Sequence, residues 1–344
     1  MKKILTLLFV VAFGLVLTAC DDDDKFQVDI FIYEFSDTYI GSVRTEMDKL
    51  LKDVENVNYK FHDAASSQET QNTQIDNAIA SGSDLLVVNI VETGSGSTVV
   101  KKAKDKKLPI IFFNREVDDA VINSYDKAVF VGTDPDEAGY LQGELISDLL
   151  LAEGAFDKYD LNDDGKISYI MLRANLDNPE ANGRTQYSVE KANELLKAKN
   201  KPELKQIGSD FNAEWDLSKA KTATDSFLQS NPFTDNDPIE LIIANNDDMA
   251  LGAIQSLNEK GYNTGSDTSK YILVVGVDAT ATAQAAISGK KMAGSIKQDG
   301  QKMAECIVKF IENTEAGKAY NEGTDYQYEA DVDKIRIPYA KFIG

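Results

Sequence analysis

From Phe26 onward, short apolar runs alternate with longer stretches whose apolar positions recur at helical spacing. Residues 28–33, 57–61, 85–89, 108–113 and 127–131 read as strands. Residues 40–51, 67–80 and 97–106 read as the helices between them. The same beat continues through helix 137–151, strand 167–172, helices 180–198 and 215–228, strand 239–244, helix 249–260 and strand 272–277. Strands alternating with helices of this length build βαβ units and parallel sheets, so the fold class is α/β. There are too many strands for one ordinary open sheet. Two doubly wound, Rossmann-like lobes are expected instead.

In such sheets ligands sit beyond the carboxyl ends of the strands. The first strand is followed by Asp37 and Tyr39, and strand 108–113 by Asn114, Arg115 and Glu116. Strand 167–172 leads to Asn178, Glu180 and Arg184, strand 239–244 to Asn245, Asn246 and Asp247, and strand 272–277 to Asp278. Each Asp or Asn taken alone reads as a helix N-cap. Taken together they line a cleft with carboxylates, carboxamides and an Arg. That set suits neutral polyols, because Asp and Asn pair with vicinal hydroxyls and aromatic rings cover the apolar faces of a sugar. Tyr39 and Trp215, the one tryptophan, could supply rings. A Trp at a helix start serves core packing equally well.

Other chemistries find little support. The chain has one histidine, His62. No Gly-x-Ser-x-Gly, Gly-x-x-x-x-Gly-Lys or Gly-x-Gly-x-x-Gly stands at a strand-to-helix turn, so triad, phosphate and dinucleotide chemistry are not expected. A glycosidase needs two placed carboxylates, which composition alone allows. With 57 acidic and 36 basic residues the formal net charge is −21, which argues against nucleic acid or an anionic membrane as partner.

Residues 160–168 form most of a calcium loop. Asp160, Asn162 and Asp164 take positions 1, 3 and 5, with Gly165 at 6 and Ser168 at 9. Position 12 of that pattern, which calls for a bidentate Glu, is Met171, and a strand rather than a helix follows. The loop therefore needs a carboxylate from elsewhere in the chain, or else is an ordinary Asp/Asn/Gly surface turn. At the start, Lys2 and Lys3 precede an apolar run over 4–17 that ends in Leu17-Thr18-Ala19-Cys20. This reads as a secretory signal over 1–20, too short to span a bilayer. Its end resembles the lipobox of bacterial lipoproteins, which makes Cys20 the lipidation site and implies an exported, lipid-anchored protein. Residues 21–25, Asp-Asp-Asp-Asp-Lys, read as an acidic tether and also equal a protease-tag sequence. Cys306, on an apolar helix face, reads as a buried small hydrophobe.

Several motifs fall together along the chain: Phe-Phe-Asn-Arg-Glu at 112–116, Val-Gly-Thr-Asp at 131–134, the Asp160 loop, Ile-Ala-Asn-Asn-Asp at 243–247, Gly-Val-Asp-Ala at 276–279, and Arg-Ile-Pro-Tyr at 336–339. In these the chain resembles the type I periplasmic binding proteins, in the galactose/glucose-binding branch of ABC sugar uptake. The resemblance implies a first lobe of 26–133 plus 298–333, a second of 134–297 plus 334–344, and a three-segment hinge. It implies a non-enzymatic monomer that captures D-galactose or D-glucose and hands it to an ABC transporter permease, or alternatively presents it to a chemoreceptor. Sugar hydrogen bonds would come from Asp37, Asn114, Arg184, Asn246 and Asp278, with Tyr39 and Trp215 stacking. Asn178, Glu180 and Gln298 stand where the family usually has His, Asp and Asn, and Tyr39 replaces the more usual Phe. A structural calcium ion would be held by Asp160, Asn162, Asp164, the Lys166 carbonyl, Ser168 and Glu240.

Overall fold

A computed structural model describes residues 25–233, 238–266 and 269–344. The expected signal segment, Cys20 and residues 21–24 of the acidic run lie outside the described residues. Within them no helix is long and apolar enough to cross a membrane.

The first part of the chain runs β1 (Phe26–Ile32), α1 (Thr38–Leu51), β2 (Val57–Asp63), α2 (Gln68–Ala80), β3 (Leu85–Val88), α3 (Gly96–Lys106), β4 (Ile110–Phe113), α4 (Asp119–Asn123) and β5 (Ala128–Gly132). β3, β4 and β5 are buried along their whole length, because helices cover both faces of a parallel sheet. The chain then crosses to a second unit: α5 (Pro135–Leu151), α6 (Ala155–Tyr159), β6 (Ser168–Arg173), α7 (Pro179–Ala198), β7 (Lys205–Gln206), β8 (Phe211–Asn212), α8 (Leu217–Ser230), β9 (Leu241–Ala244), α9 (Asp247–Glu259), β10 (Leu273–Asp278), α10 (Ala281–Ser288) and β11 (Gly294–Lys297). It returns as α11 (Gly300–Glu315) and β12 (Lys334–Arg336), and ends in β13 (Ala340–Phe342).

Two sheets result, ordered β12-β5-β4-β3-β1-β2 and β13-β11-β10-β9-β6-β7, with β8 also on β6. α11 lays an apolar face on the first sheet, where Met303, Cys306, Ile307 and Phe310 join the core formed with α1. Cys306 is a buried free thiol, as its apolar surroundings suggest. The chain passes between the sheets at Thr133, at Gln298 and again after Arg336.

Two expectations need correction. Residues 334–336 do not belong with the second unit: Lys334, Ile335 and Arg336 pair in parallel with Phe130, Val131 and Gly132. Buried Lys334 holds that edge by donating to Glu116 Oε1 at 2.5 Å and to the Val117 carbonyl at 2.9 Å. Trp215, for its part, does not open a helix. Asp216 caps α8 by accepting from Lys219 N at 2.7 Å, and Trp215 precedes it with φ +65°.

α5 and α7 pack backbone to backbone. A Cβ on Gly139 would lie 2.3 Å from the Gly183 carbonyl, and one on Gly183 would lie 2.4 Å from the Pro135 carbonyl. Helix backbone cannot yield as a flexible side chain would. Gly139→Ala should therefore destabilise the fold by about 1–3 kcal/mol, as overpacking does. Thermal unfolding checks this: a melting temperature equal to wild type would contradict the contact.

Candidate functional site

Three strand-to-helix turns supply polar groups that cap a helix and face the interlobe cleft at once. Asp37 Oδ1 accepts from Ile40 N at 2.7 Å, and its Oδ2 accepts from the Tyr33 hydroxyl at 2.5 Å. Asn178 Oδ1 accepts from Ala181 N at 3.2 Å. Asn246 Oδ1 accepts from Met249 N at 2.9 Å, while its Nδ2 donates to the Trp215 carbonyl at 3.1 Å. The capping and cleft-lining interpretations of these residues are both correct.

The cleft holds a cavity of about 370 Å³ of empty space, the open solvent at its mouth included. Asp37, Tyr39, Asn114, Asn178, Glu180, Arg184, Trp215, Asn246, Asp278 and Gln298 all line it, so the structure brings every expected sugar-site residue to one place. Arg115, expected at the cleft as a strand-end residue though not as a sugar contact, lines it too. Tyr33 and Ile40 also line it and were not foreseen: Tyr33 reads as the end of a strand and Ile40 as a core position. His62 lies elsewhere, 2.6 Å from Asp29 and stacked on Phe31.

Glu180 and Arg184 are one turn apart on α7 and share a face. Arg184 donates to the Asn245 carbonyl at 2.8 Å, to Gln298 Oε1 at 3.1 Å and to the Tyr339 hydroxyl at 2.9 Å. Its Nη1 lies 3.7 Å from Asp278 Oδ1. Gln298 Nε2 donates to Thr133 Oγ1 at 3.3 Å, and Thr133 Oγ1 lies 2.9 Å from the Tyr339 hydroxyl. Gln298 thus has its oxygen and one N–H committed to the hinge.

Glu180 is in the opposite condition. It is 4 % exposed, and among the described residues neither carboxylate oxygen has a hydrogen-bond partner from another residue. Burial pushes its carboxyl up to about 7, against the pull of Arg184. Asp278 is likewise pushed well above the carboxylate range by burial, with Arg184 opposing and Asp247 and Asp37 adding to the rise. The asparagines complement these acceptors. Asn114 Oδ1 accepts from Asn89 Nδ2 at 3.1 Å, which leaves its amide nitrogen to face the cavity. Tyr39 is buried on the first-lobe side, and half-buried Trp215 packs against the second core while lining the cavity.

Backbone strain gathers here. Asn114 (φ +60°), Trp215 (+65°), Asp278 (+112°) and Ala279 (+50°) are non-glycine residues at or beside the cavity. Each such residue costs on the order of 1–3 kcal/mol and persists only where its surroundings enforce it. Two contacts bridge the lobes at the mouth: Thr38 Oγ1 donates to Asp248 Oδ2 at 2.6 Å, and Thr93 Oγ1 to the Asp177 carbonyl at 3.3 Å. The lobes are closed on one another.

The Asp160 loop lies away from the cavity, against β6 and the start of β9. Asp160 accepts from Asp164 N at 3.1 Å and Gly165 N at 2.8 Å. Asn162 Oδ1 accepts from Asp164 N at 3.2 Å, and Asp164 Oδ1 from Lys166 N at 2.9 Å. Buried Glu240 reaches in from the turn before β9, accepting from Leu161 N at 2.5 Å and Ser168 N at 2.7 Å. Burial raises the Glu240 carboxyl, and Asp160 adds to the rise. Asp160 and Glu240 have no ion-pair partner among the described residues; Asp164 has Lys205 at 3.5 Å. The Ser168 hydroxyl turns to the Pro238 carbonyl and to Glu240. Among the described residues no three His, Cys, Asp or Glu side chains stand close enough to hold a metal by themselves. What the loop offers is an all-oxygen set, of the chemistry a hard cation takes.

The periplasmic binding protein domain matches residues 28–319. The chain belongs to the periplasmic binding proteins. It is 34% identical over 334 residues to the D-galactose/methyl-galactoside binding periplasmic protein MglB of Haemophilus influenzae, covering 97% of this chain and 94% of that one. It is 26% identical to a xylitol-binding protein of Mycolicibacterium smegmatis, covering 84% and 74% of the two chains. In fold it matches an ABC transporter solute binding protein from Bacillus halodurans with bound myo-inositol, at TM-score 0.73 and 24% identity, covering 94% and 96%. This chain is therefore a periplasmic binding protein, which places it outside the cytoplasm, and it is not an enzyme. The doubly wound lobes expected from the sequence agree with that family.

The unpartnered Glu180 carries a pH signature. Its ordinary value is 4.5 and burial lifts it to about 7. The protonated form is thus favoured by folding, and the ligand-free protein loses stability as pH rises from the first value through the second. Glu180→Gln should remove that loss. Without sugar the variant should be more stable than wild type above pH 7, by at most about 3 kcal/mol, with the gap closing below pH 4.5. Melting temperatures of both proteins across this range test it, and parallel curves would contradict the assignment.

Proposed function

We propose that this binding protein captures a pyranose hexose, D-galactose or D-glucose, between its lobes and delivers it to an ABC transporter permease. The observation that carries the reading is Glu180, a buried carboxylate whose two oxygens have no partner in a cavity otherwise lined by amides, carboxylates and rings. A buried acceptor left unmatched costs about 1–3 kcal/mol, and a hydroxyl group that donates to it recovers this. Asp37 and Asp278 offer further acceptors, and the amide nitrogens of Asn114, Asn178 and Asn246 offer donors. Arg184 adds donors beside Asp278, and Tyr39 and Trp215 would cover the two faces of the ring. Alternating donors and acceptors between aromatic walls matches a ring that carries hydroxyls on its rim and C–H on its faces. Identity to the galactoside-binding relative supports the hexose. Asn178, Glu180 and Gln298 depart from the usual pattern and set which hexose is preferred.

Calcium and a lipid anchor belong to the same reading. A calcium ion would be held by Asp160, Asn162, Asp164, the Lys166 carbonyl and Glu240, with Ser168 orienting Glu240. It would neutralise two buried carboxylates and stabilise the second lobe without touching sugar. Cys20, processed and lipidated, would tether the protein to the outer face of the membrane.

Titration of the mature protein by Trp215 fluorescence and calorimetry should give saturable binding of galactose or glucose. Asp278→Asn should weaken it at least about tenfold, because an amide replaces one acceptor oxygen with a donor and leaves a sugar hydroxyl unmatched in a buried site. Heat-silent titrations with both sugars would refute the hexose. Calcium removal should lower the melting temperature through lost linkage, by up to about 4 kcal/mol of stability at saturating metal. Glu240→Gln should abolish the calcium response, and a metal-stripped wild type that melts as before would refute the ion.

A further inference from the structure

The cavity that contains Glu180 is not the end of the cleft. Beside it opens a second hollow of about 850 Å³, more than twice the inner 370 Å³. The two share Tyr33, Arg115, Asn178 and Trp215 as lining. The first lobe adds Ser66, Glu92 and Thr93 to its wall, and the second adds Asp177 and Glu214. Thr93 Oγ1 donates to the Asp177 carbonyl at 3.3 Å within this wall, so the space persists while the lobes are in contact.

The backbone on both sides is held in an unfavourable conformation. Ser66 (φ +57°) lines the hollow from one lobe, Glu214 (+51°) and Trp215 (+65°) from the other. Of these only Trp215 also lines the inner cavity. The wall also carries a flat platform. The Arg115 guanidinium lies 3.6 Å from the Tyr33 ring centroid and is fixed there by donation to the Val91 carbonyl at 2.6 Å.

The chemistry of the wall narrows the occupant. Glu92, Asp177 and Glu214 contribute three carboxylates against the one guanidinium. An anionic substituent, such as a sugar phosphate, would meet net repulsion. A neutral, hydroxyl-rich group would find acceptors on the rim and planar surfaces to lie on.

We propose that this hollow is a second sugar subsite, so that the cleft also takes a disaccharide, one ring in the inner cavity and the next against Trp215 and the Arg115–Tyr33 pair. The inference rests on the hexose reading of the inner cavity. The full mature chain should be titrated calorimetrically with galactose, glucose, melibiose, lactose, cellobiose and maltose. At least one disaccharide should bind within about tenfold of its better component hexose. Glu92→Trp fills the hollow, and should weaken that disaccharide at least about tenfold while leaving the hexose within about threefold. If Glu92→Trp weakens both equally, Glu92→Ala decides: selective loss of the disaccharide supports the subsite, and any other result overturns it. Hexose binding with no disaccharide binding overturns the subsite and leaves the inner site standing. Silence with every sugar overturns both.

Discussion

The buried guanidinium of Arg184 is the contact on which the closed cleft depends. It extends from the first turns of α7 and bonds Gln298 and Tyr339, two of the points where the chain passes between the sheets. Those two meet the third crossing at Thr133. The same guanidinium lies beside Asp278 and faces the Trp215 ring at 5.5 Å. One cation thus holds together the hinge, an acidic wall of the cavity and an aromatic wall. Burying it without these partners would be prohibitive. Its partners therefore fix where the lobes stand relative to one another when they close.

Around that cation the cleft is short of positive charge. Asp37 approaches from the first lobe, while Glu180 and Asp278 line the cavity from the second and Asp248 stands at its mouth. Burial raises the carboxyls of Asp278 and Asp248, and Asp37 adds to both across the gap. Closing the lobes without a ligand brings like charges together in a dehydrated space. Hydroxyl donors relieve this where water has been excluded. Specificity and closure then have one source, because the groups that read a ligand are also those that resist closing without it.

Much of this architecture was legible in the sequence. The strands β1, β3 to β6, β9 and β10 stood out because a parallel sheet covered on both faces demands apolar runs, while the edge strand β2 alternates Val57, Tyr59 and Phe61 with polar residues. The polar residues after them were legible for the same reason: sheet topology puts strand ends at the cleft. β7, β8, β12 and β13 were not, since strands of two or three residues carry too little pattern to distinguish from loop. The lobe boundary near Lys334 failed on that account. A lysine at a buried edge reads as surface until Glu116, distant in sequence, is seen beside it. Tyr33, Thr133 and Tyr339 escaped because their roles lie in contacts between distant segments. The backbone twist that turns Trp215 toward the cavity had no sequence signal, because neither Glu214 nor Trp215 is a glycine.

Gly183 gives the second lobe a mechanical property. It sits between Asn182 and Arg184 on α7 and meets the carbonyl of Pro135, the first residue of α5 and two residues past Thr133. No side chain separates the helix that presents Asn178, Glu180 and Arg184 from the segment that leaves the hinge. Packed side chains can slide and absorb part of a rotation; two backbones in direct contact have no such play. Turning about Thr133 is therefore transmitted without slack to the residues that meet the ligand, as through a rigid linkage with no backlash. Opening then withdraws all three residues together and does not loosen them one by one.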